Sequence, residues 1–239
     1  MPYSGKTRRS PLDSAQAFPG QVAQAIVRKE SFKRAEKELP GIQKIAGCTL
    51  LNWTEPEYPQ SLLQIYDPPV LLYVRGDPQV LNLPSIDIVG TRRPTLYGTQ
   101  MAQRLGRELA ARGPVIVSGM ARGIDAVGHQ GAMDANGRAI GVFGTSIDVG
   151  YPKENQKLYE KVLERGAIIS EFSLRTHPAP ENFPVRNRIV AGMPLGVVVV
   201  EGAGDERDHP AVAGQAVQQS LAVEIVRDRV ALAGAGLQT

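Results

Sequence analysis

The segment Glu181–Gly192, ENFPVRNRIVAG, concentrates side chains that could bind an anion. Phe183 precedes two arginines, Arg186 and Arg188, which flank Asn187, and an apolar run follows at once. Guanidinium forks match phosphate oxygens in geometry better than ammonium groups do. The segment therefore favours a phosphate-bearing ligand. The alternative is that Asn187 and one of the arginines lie buried in a structural network.

Further arginines stand beside glycines in two other places. Arg92 and Arg93 follow Gly90 in VGTRRP, and Arg122 precedes Gly123 in SGMARGID. If the two loops meet, these side chains would line one basic groove. The alternative for each arginine is a solvated charge or an ion pair with a nearby carboxylate.

The motifs of other chemistries are missing from the sequence. VGTRRP differs from the G-x-G-x-x-G fingerprint, and no predicted strand is followed by G-x-x-x-x-G-K-[ST]. His129, His177 and His209 do not have metal-ligand spacing, and Ser118 lacks the G-x-S-x-G context of a nucleophile. The single cysteine excludes an internal disulfide. The missing motifs disfavour a nucleotide cofactor, a metal site and an activated serine nucleophile, and we predict no cofactor and no metal.

The composition is that of a globular protein with a weak basic excess. Of 239 residues, 42% are hydrophobic and 21% are charged, and the formal net charge is +3. This weak positive charge favours anionic partners. The opening MPYSGKTRRS lacks the apolar segment of a signal peptide, and no apolar run approaches the ~18 residues of a membrane span. We therefore predict a cytoplasmic protein with no membrane partner.

Short apolar runs alternate with amphipathic stretches from Ile86 onward, which predicts strands alternating with helices. The predicted strands are IDIVG, PVIVSG, AIGVFG, AIISEF and LGVVVVEG, with PVLLYVRG before them. Such nearly continuous apolar runs indicate a parallel sheet covered on both faces. We predict an α/β fold with an open, doubly wound, mostly parallel sheet and helices on both faces, because the βα units are too few for a barrel.

The carboxyl ends of parallel strands are the usual ligand edge of such a sheet. Small residues predominate there, among them Gly90, Ser118, Gly119 and Gly144. Glycine lets a ligand approach main-chain N–H groups near helix N-termini, which favour anions. The set predicts a phosphate-binding rim. The alternative is that these glycines only end strands and begin tight turns.

Three parts are predicted along the chain. Residues 1–52 comprise a disordered start and a partial helical domain, whose helix spans residues 21–39 and ends at Pro40–Gly41. Residues 53–203 form the sheet domain. Residues 204–239 form an atypical tail with helical spacing.

Six segments in order resemble the DNA-processing protein A family (DprA/Smf). They are YPQSLLQIYDPPVLLYVRGD, IVGTRRPTLYG, VSGMARGIDAVGHQGAM, GYPKEN, IISEF and FPVRNRIVAG, and the resemblance covers Tyr58 to Gly202. It implies an extended Rossmann-like domain, without catalytic activity, that binds single-stranded DNA with little sequence preference. It also implies protection of incoming DNA in natural transformation, loading of the RecA recombinase, and a homodimer.

The resemblance also implies a basic DNA-binding pocket. The candidate DNA-binding residues are Gly90, Arg92, Ser118, Gly119, Arg122, Gly123, Phe183, Arg186, Asn187 and Arg188. In this hypothesis Phe183 stacks on a base, a contact worth about 1–3 kcal/mol that tolerates any sequence, and the arginines hold phosphates. The acidic GDERD in the tail departs from the family pattern, which puts the homodimer surface in question.

Two other functions remain open from the residues. A nucleotide phosphoribohydrolase of the kind called lonely-guy would use Glu171 or Glu201 to stabilise an oxocarbenium-like centre, but its P-G-G-x-G-T segment is absent. A nucleotide or cofactor carrier could use the same glycine rim.

Overall fold

A computed structural model of the chain describes residues 30–202. The chain divides into two compact units between Lys44 and Ile45. The disordered start and the C-terminal tail of residues 204–239 predicted from the sequence lie outside the described residues.

Helix α1 of the first unit spans Glu30–Gln43 and contains Pro40. The predicted end of this helix at Pro40–Gly41 is therefore wrong. Proline removes one N–H donor, but its fixed φ is compatible with a helix, and the N–H of Lys44 still donates to the Gly41 carbonyl at 3.2 Å. Residues 21–29 of the predicted helix lie outside the described residues.

The second unit is built on a sheet whose described strands have the order β1-β2-β6-β5-β4-β3-β7. Strands β3 to β7 are parallel to one another, and β1 and β2 add an antiparallel edge beside β6. The strands are β1 Cys48–Asn52, β2 Leu71–Gly76, β3 Ser85–Val89, β4 Val115–Ser118, β5 Ala139–Val142, β6 Ala167–Ser170 and β7 Gly196–Val199.

Four helices of this unit cover the two faces of the sheet within the described residues. They are α2 Leu96–Ala111, α3 Ile124–Asp134, α4 Gln156–Arg165 and α5 Asn182–Gly192. Successive side chains of β4 point to opposite faces of the sheet and so show the two helical layers. Ile116 packs in one cluster with Ala102 of α2 and Ala132 of α3. Val117, on the opposite face, packs in another cluster with Ile189 of α5. The predicted α/β fold, a mostly parallel Rossmann-like sheet with helices on both faces, is confirmed.

Residues 48–52 were predicted to belong to the N-terminal part of the chain. In the structure they form β1, with Leu50 opposite Tyr73 of β2, and the compact unit that contains the sheet begins at Ile45. These residues belong to the sheet because they pair with β2 and because Leu51, which is 4% exposed, is buried in the same core as the side chains of β2.

The segment ENFPVRNRIVAG forms helix α5, which the sequence analysis did not assign. Pro184 is the third residue of this helix, within the first turn, where the N–H has no intrahelical partner to lose. Ile189 and Val190 are buried, in agreement with the expectation that the apolar run anchors the segment to the sheet.

Candidate functional site

The carboxyl ends of the five parallel strands lie along one edge of the sheet, and the loops after them carry the candidate residues. Strand β7 lies on the side of β3 away from β4, so the winding direction reverses between β3 and β7. This reversal is the place where open α/β sheets bind ligands.

An internal carboxylate occupies the N-terminus of α2 at this reversal. Glu201, which follows β7, accepts hydrogen bonds from the main-chain N–H of Thr95 at 3.1 Å and from its hydroxyl at 3.0 Å. Thr95 also accepts a hydrogen bond from the N–H of Gly98 at 3.1 Å and so caps the helix. A helix N-terminus favours negative charge. The carboxylate of Glu201 thus takes the position where a nucleotide-binding sheet would hold a phosphate.

The turn after β3 and the turn after β4 are in direct contact. Gly123 has a φ of +76°, and a Cβ there would lie 2.4 Å from the Thr91 carbonyl oxygen and 2.8 Å from the Arg92 Cα. The N–H of Ile124 donates to the same Thr91 oxygen at 3.2 Å. Glycine is required because both the backbone conformation and the contact exclude a side chain. The backbone of Arg92 is thereby held beside the residue that follows Arg122.

The Arg92 side chain extends over an aromatic ring. Its Cζ lies 5.4 Å from the centroid of the Phe183 ring, within the range of a cation–π contact. A second ring, that of Tyr151, has its centroid 5.7 Å from that of Phe183, with an angle of 39° between the planes. Phe183 is partly exposed and Tyr151 is 37% exposed, so both rings present surface to solvent.

Tyr151 in turn lies beside a second exposed guanidinium, that of Arg122. Arg122 Nη2 is 2.6 Å from Oε1 of Glu154. The pKa of Arg122 is raised, first by its hydrogen bond to Glu154 and to a smaller extent by the neighbouring Tyr151. We call the surface formed by Arg92, Phe183, Tyr151 and Arg122 the arginine–aromatic strip. It combines two guanidinium groups with two aromatic rings at the carboxyl edge of the sheet.

Arg186 lies beneath this strip rather than on it. The residue is 4% exposed, and its Nη1 donates to the carbonyl oxygens of Gly119, at 2.5 Å, and Val142. Burial lowers the pKa of Arg186, and the carboxylates of Asp125 and Asp87 counteract this. Among the two alternatives drawn from the sequence, a buried structural network therefore describes Arg186. We give it a supporting role, because its guanidinium has almost no surface from which to reach a ligand.

Arg188 points into a second structural network. Its Nη1 and Nη2 each donate to one oxygen of Glu171 at 2.5 Å, and its Nε lies 3.2 Å from Oδ2 of Asp67. The hydrogen bond to Glu171 is the largest of the effects that raise the pKa of Arg188. Arg188 is thus engaged by carboxylates of the protein itself.

The remaining candidate residues have structural contacts. Ser118 is fully buried, and its hydroxyl donates to the Ile88 carbonyl at 2.7 Å. Gly90 and Gly119 are buried at the strand ends, and Asn187 is partly buried. The structure therefore brings Arg92, Arg122 and Phe183 to one surface and places the other candidates below or beside it. Whether any of them contacts DNA stays a prediction.

Sequence reasoning missed one residue of this strip and two neighbours that contact Arg122 or its loop. Tyr151, Glu154 and Asn155 belong to the GYPKEN motif, which contributed to the family resemblance but supplied no candidate residue. The only available signal was that motif itself, because nothing local to it shows that Tyr151 meets Phe183.

The phosphoribohydrolase hypothesis needs either Glu171 or Glu201, and both carboxylates are engaged within the protein. Glu171 pairs with Arg188, and Glu201 caps α2 through Thr95. Neither is presented to a ligand as the hypothesis requires.

Within residues 30–202, no group of three or more His, Cys, Asp or Glu side chains could hold a metal ion. Every helix in the described part of the chain falls short of the length and apolarity needed to cross a membrane.

Comparison with known proteins relates most of the chain to one family. The family model described as DNA recombination-mediator protein A matches residues 49–234. The DNA processing protein DprA of Bacillus subtilis is 39% identical over 202 residues, which cover 80% of this chain and 68% of that protein. Protein Smf of Synechocystis is 37% identical over 227 residues, which cover 93% of this chain and 55% of that protein. The chain thus spans little more than half the length of this second relative.

Solved structures show the same fold. The X-ray structure of DNA processing protein A from Streptococcus pneumoniae superposes with a TM-score of 0.70 at 32% identity, over 79% of this chain and 64% of that one. DNA processing protein A from Helicobacter pylori superposes with a TM-score of 0.60 at 33% identity, over 66% of this chain and 71% of that one. The study of the Helicobacter protein concerns its single-stranded DNA binding mode.

Proposed function

The chain belongs to the DNA recombination-mediator protein A family, and on that premise we propose that it binds single-stranded DNA along the arginine–aromatic strip. The observation that carries the proposal is the position of the Arg92 guanidinium, whose Cζ lies over the partly exposed Phe183 ring at 5.4 Å from its centroid. This pair places a phosphate-binding group beside a partly exposed aromatic ring that a base can contact.

The chemistry of the strip suits an unpaired strand. A base can stack on Phe183 or Tyr151 only where it is not already paired and stacked within a duplex, and such stacking is tolerant of sequence. Arg92 lies over Phe183 and Arg122 neighbours Tyr151, so each ring has a guanidinium beside it that a phosphate of the strand could meet. Binding with little sequence preference follows, because these contacts do not read base edges.

The buried arginine supports this surface from below. Arg186 lies on α5 three residues after Phe183 and bonds to the ends of β4 and β5. Its hydrogen bonds fix the position of the helix turn that presents the Phe183 ring. The protein therefore keeps the stacking face in place before any ligand arrives, which lowers the entropy cost of binding.

The finer biological role is part of the same proposal. The family's description and the names of the relatives refer to DNA recombination and DNA processing. We extend this to the protection of incoming single-stranded DNA in natural transformation and to the loading of RecA. A homodimer, the absence of catalysis and a cytoplasmic location also stay predictions.

The test is a titration of a labelled oligo-dT by the protein at two salt concentrations. The Arg92→Ala variant should bind all sequences more weakly than wild type, and its log–log salt slope should be shallower by about 0.7, the value for one phosphate contact on a single strand. Arg165→Ala is a matched control, since Arg165 is an exposed cation at the end of α4, next to the start of β6 at the opposite edge of the sheet. Equal affinities of wild type and Arg92→Ala would overturn the proposal.

A duplex of the same length separates this site from a general polyanion surface. The proposal predicts weaker binding of duplex than of oligo-dT, because a paired base cannot reach the rings. Equal affinity for both would show that charge alone drives binding.

A further inference from the structure

We propose that Glu154 is an internal competitor for nucleic acid, whose carboxylate occupies the phosphate-binding position of Arg122 until a bound strand displaces it. The inference rests on the proposed function and concerns the same surface. It assigns to Glu154 the control of affinity at one end of the arginine–aromatic strip.

The ion pair of Arg122 with Glu154 has the geometry of an exchangeable contact. A single hydrogen bond of 2.6 Å from Nη2 to Oε1 joins the two groups, and the side chains are 54% and 61% exposed. Exposed pairs of this kind contribute little to stability, because solvent and salt screen their charges. A phosphate, which also accepts from a guanidinium through two oxygens, can replace such a carboxylate at little cost.

The second arginine–carboxylate pair near the site is built differently. Arg188 and Glu171 share two hydrogen bonds, and both side chains are only 16% exposed. That pair is partly desolvated and forked, and it is not open to exchange with a ligand. The contrast shows that a carboxylate beside a guanidinium is structural in one case and displaceable in the other.

Glu154 is held at its place by the turn that carries it. Its neighbour Asn155 donates from Nδ2 to the carbonyl oxygens of Met120 at 3.0 Å and Ala121 at 3.3 Å. These carbonyls immediately precede Arg122, so the turn of residues 153–155 is tied to the loop of the arginine. The carboxylate therefore stays close to Arg122 and competes at a high local concentration with any ligand.

The position of Arg122 explains why a strand could displace this carboxylate. The backbone of Arg92 touches Gly123, directly after Arg122. A strand anchored by Arg92 and stacked on Phe183 brings a further phosphate to Arg122 as an intramolecular event, with an effective concentration in the millimolar range or above. The internal carboxylate and the tethered phosphate then compete for Arg122 at comparable effective concentrations.

A double-mutant cycle of Glu154→Gln and Arg122→Ala tests the inference through oligo-dT affinity. Glu154→Gln keeps the shape of the side chain and should raise affinity by about fivefold, the Coulomb effect of one charge at contact distance in water. Its log–log salt slope should stay close to that of wild type, because Arg122 contacts a phosphate in the bound state of both proteins. The gain in affinity should vanish in the Arg122→Ala background.

Glu160→Gln is the control for net charge, since Glu160 is an exposed carboxylate of α4 that accepts from Gln156 at 3.3 Å and does not contact Arg122. It should leave affinity within twofold of wild type. An equal gain from Glu154→Gln in both backgrounds would mean that Glu154 acts only as a general negative charge, and no gain in either would mean that it does not compete. Both results overturn the inference while the dependence on Arg92 remains intact. Absence of any single-strand binding by wild type would overturn the proposed function as well.

Discussion

The buried guanidinium of Arg186 donates from Nη1 to the carbonyl oxygen of Gly119 at 2.5 Å. A Cβ at Gly119 would lie only 2.3 Å from that nitrogen, so the glycine is what allows the approach. The same nitrogen also donates to the Val142 carbonyl at the end of the next strand. One side chain of α5 thus ties together the carboxyl ends of β4 and β5, and Phe183 stands on the same helix, one turn earlier.

Replacing Arg186 by methionine should destabilise the fold by about 3–5 kcal/mol, the usual cost of removing one partner from a buried charged network. The loss leaves two buried carbonyls without their donor and removes the cation that counteracts the raised pKa of Asp87, which burial and then Asp125 cause. Urea denaturation gives the free energy of unfolding. Arg107→Ala, at an exposed position of α2, should change it by less than about 0.5 kcal/mol. A loss below about 1 kcal/mol for Arg186→Met would contradict the structural role.

Replacing Gly123 by alanine should destabilise the fold more than the same change at Gly113. Both glycines have positive φ, +76° and +112°, so both variants carry the cost of an unfavourable backbone conformation, about 1–2 kcal/mol. Only at Gly123 would the new Cβ also meet backbone, the Thr91 oxygen at 2.4 Å, whereas Gly113 has open space. Overpacking of this kind adds about 1–3 kcal/mol. Thermal unfolding of the two variants compares them directly, and equal midpoints would show that the two turns are not in contact.

Stability should fall on acidification because of His129. The ring is fully buried, its Nε2 lies 3.1 Å from the Ile140 carbonyl oxygen, and burial lowers its pKa to about 4. A carbonyl only accepts, so Nε2 carries the proton of the neutral ring. Since the folded pKa lies below the unfolded value, the unfolded state binds the extra proton first. Stability is then lost between about pH 6.5 and pH 4, by about 3 kcal/mol in full.

The buried Asp87 acts with the opposite sign in part of that range, since its pKa is raised and its contribution falls as pH increases. The comparison of wild type with His129→Gln, which retains a donor for Ile140, isolates the histidine. The difference in the free energy of unfolding between the two proteins should depend on pH from 7 to 5. A constant difference would rule out the titration of His129.

Phe183→Leu should weaken single-strand binding by about five- to 150-fold, the equivalent of the 1–3 kcal/mol carried by one base stacked on an aromatic ring. The fold should survive, because Phe183 is only partly buried. Tyr66→Leu is the control, as it removes a fully exposed ring outside the strip. Fluorescence anisotropy with oligo-dT measures both affinities, and equal weakening in the two variants would show that the rings act without a defined site.

Much of the fold could be predicted from the sequence, since each apolar run from Ile86 onward became a strand of the sheet. A strand with apolar side chains in a continuous run needs both faces buried, as in a covered sheet, so the local pattern is sufficient to predict these strands. Helix α5 could not be predicted in the same way. Its segment contains Pro184 and mixes polar with apolar residues without a clear helical period.

The residue types of the site could be predicted from the sequence, but the burial of each residue could not. The sequence shows that Arg186, Asn187 and Arg188 adjoin the core, yet only the fold decides which of them is buried. The acceptors of Arg186 lie at Gly119 and Val142, 67 and 44 residues away. The contact of Tyr151 with Phe183 likewise joins a loop to helix α5, 32 residues further along the chain. Such pairings follow from strand order, which local pattern does not specify.

Ultraviolet crosslinking of oligo-dT to the wild-type protein, with the adducts located by mass spectrometry, tests most directly where the strand lies. We predict adducts at Phe183 or Tyr151 that are lost when Arg92 is replaced by alanine. Adducts confined to the opposite edge of the sheet, for example to residues 136–138, would contradict it.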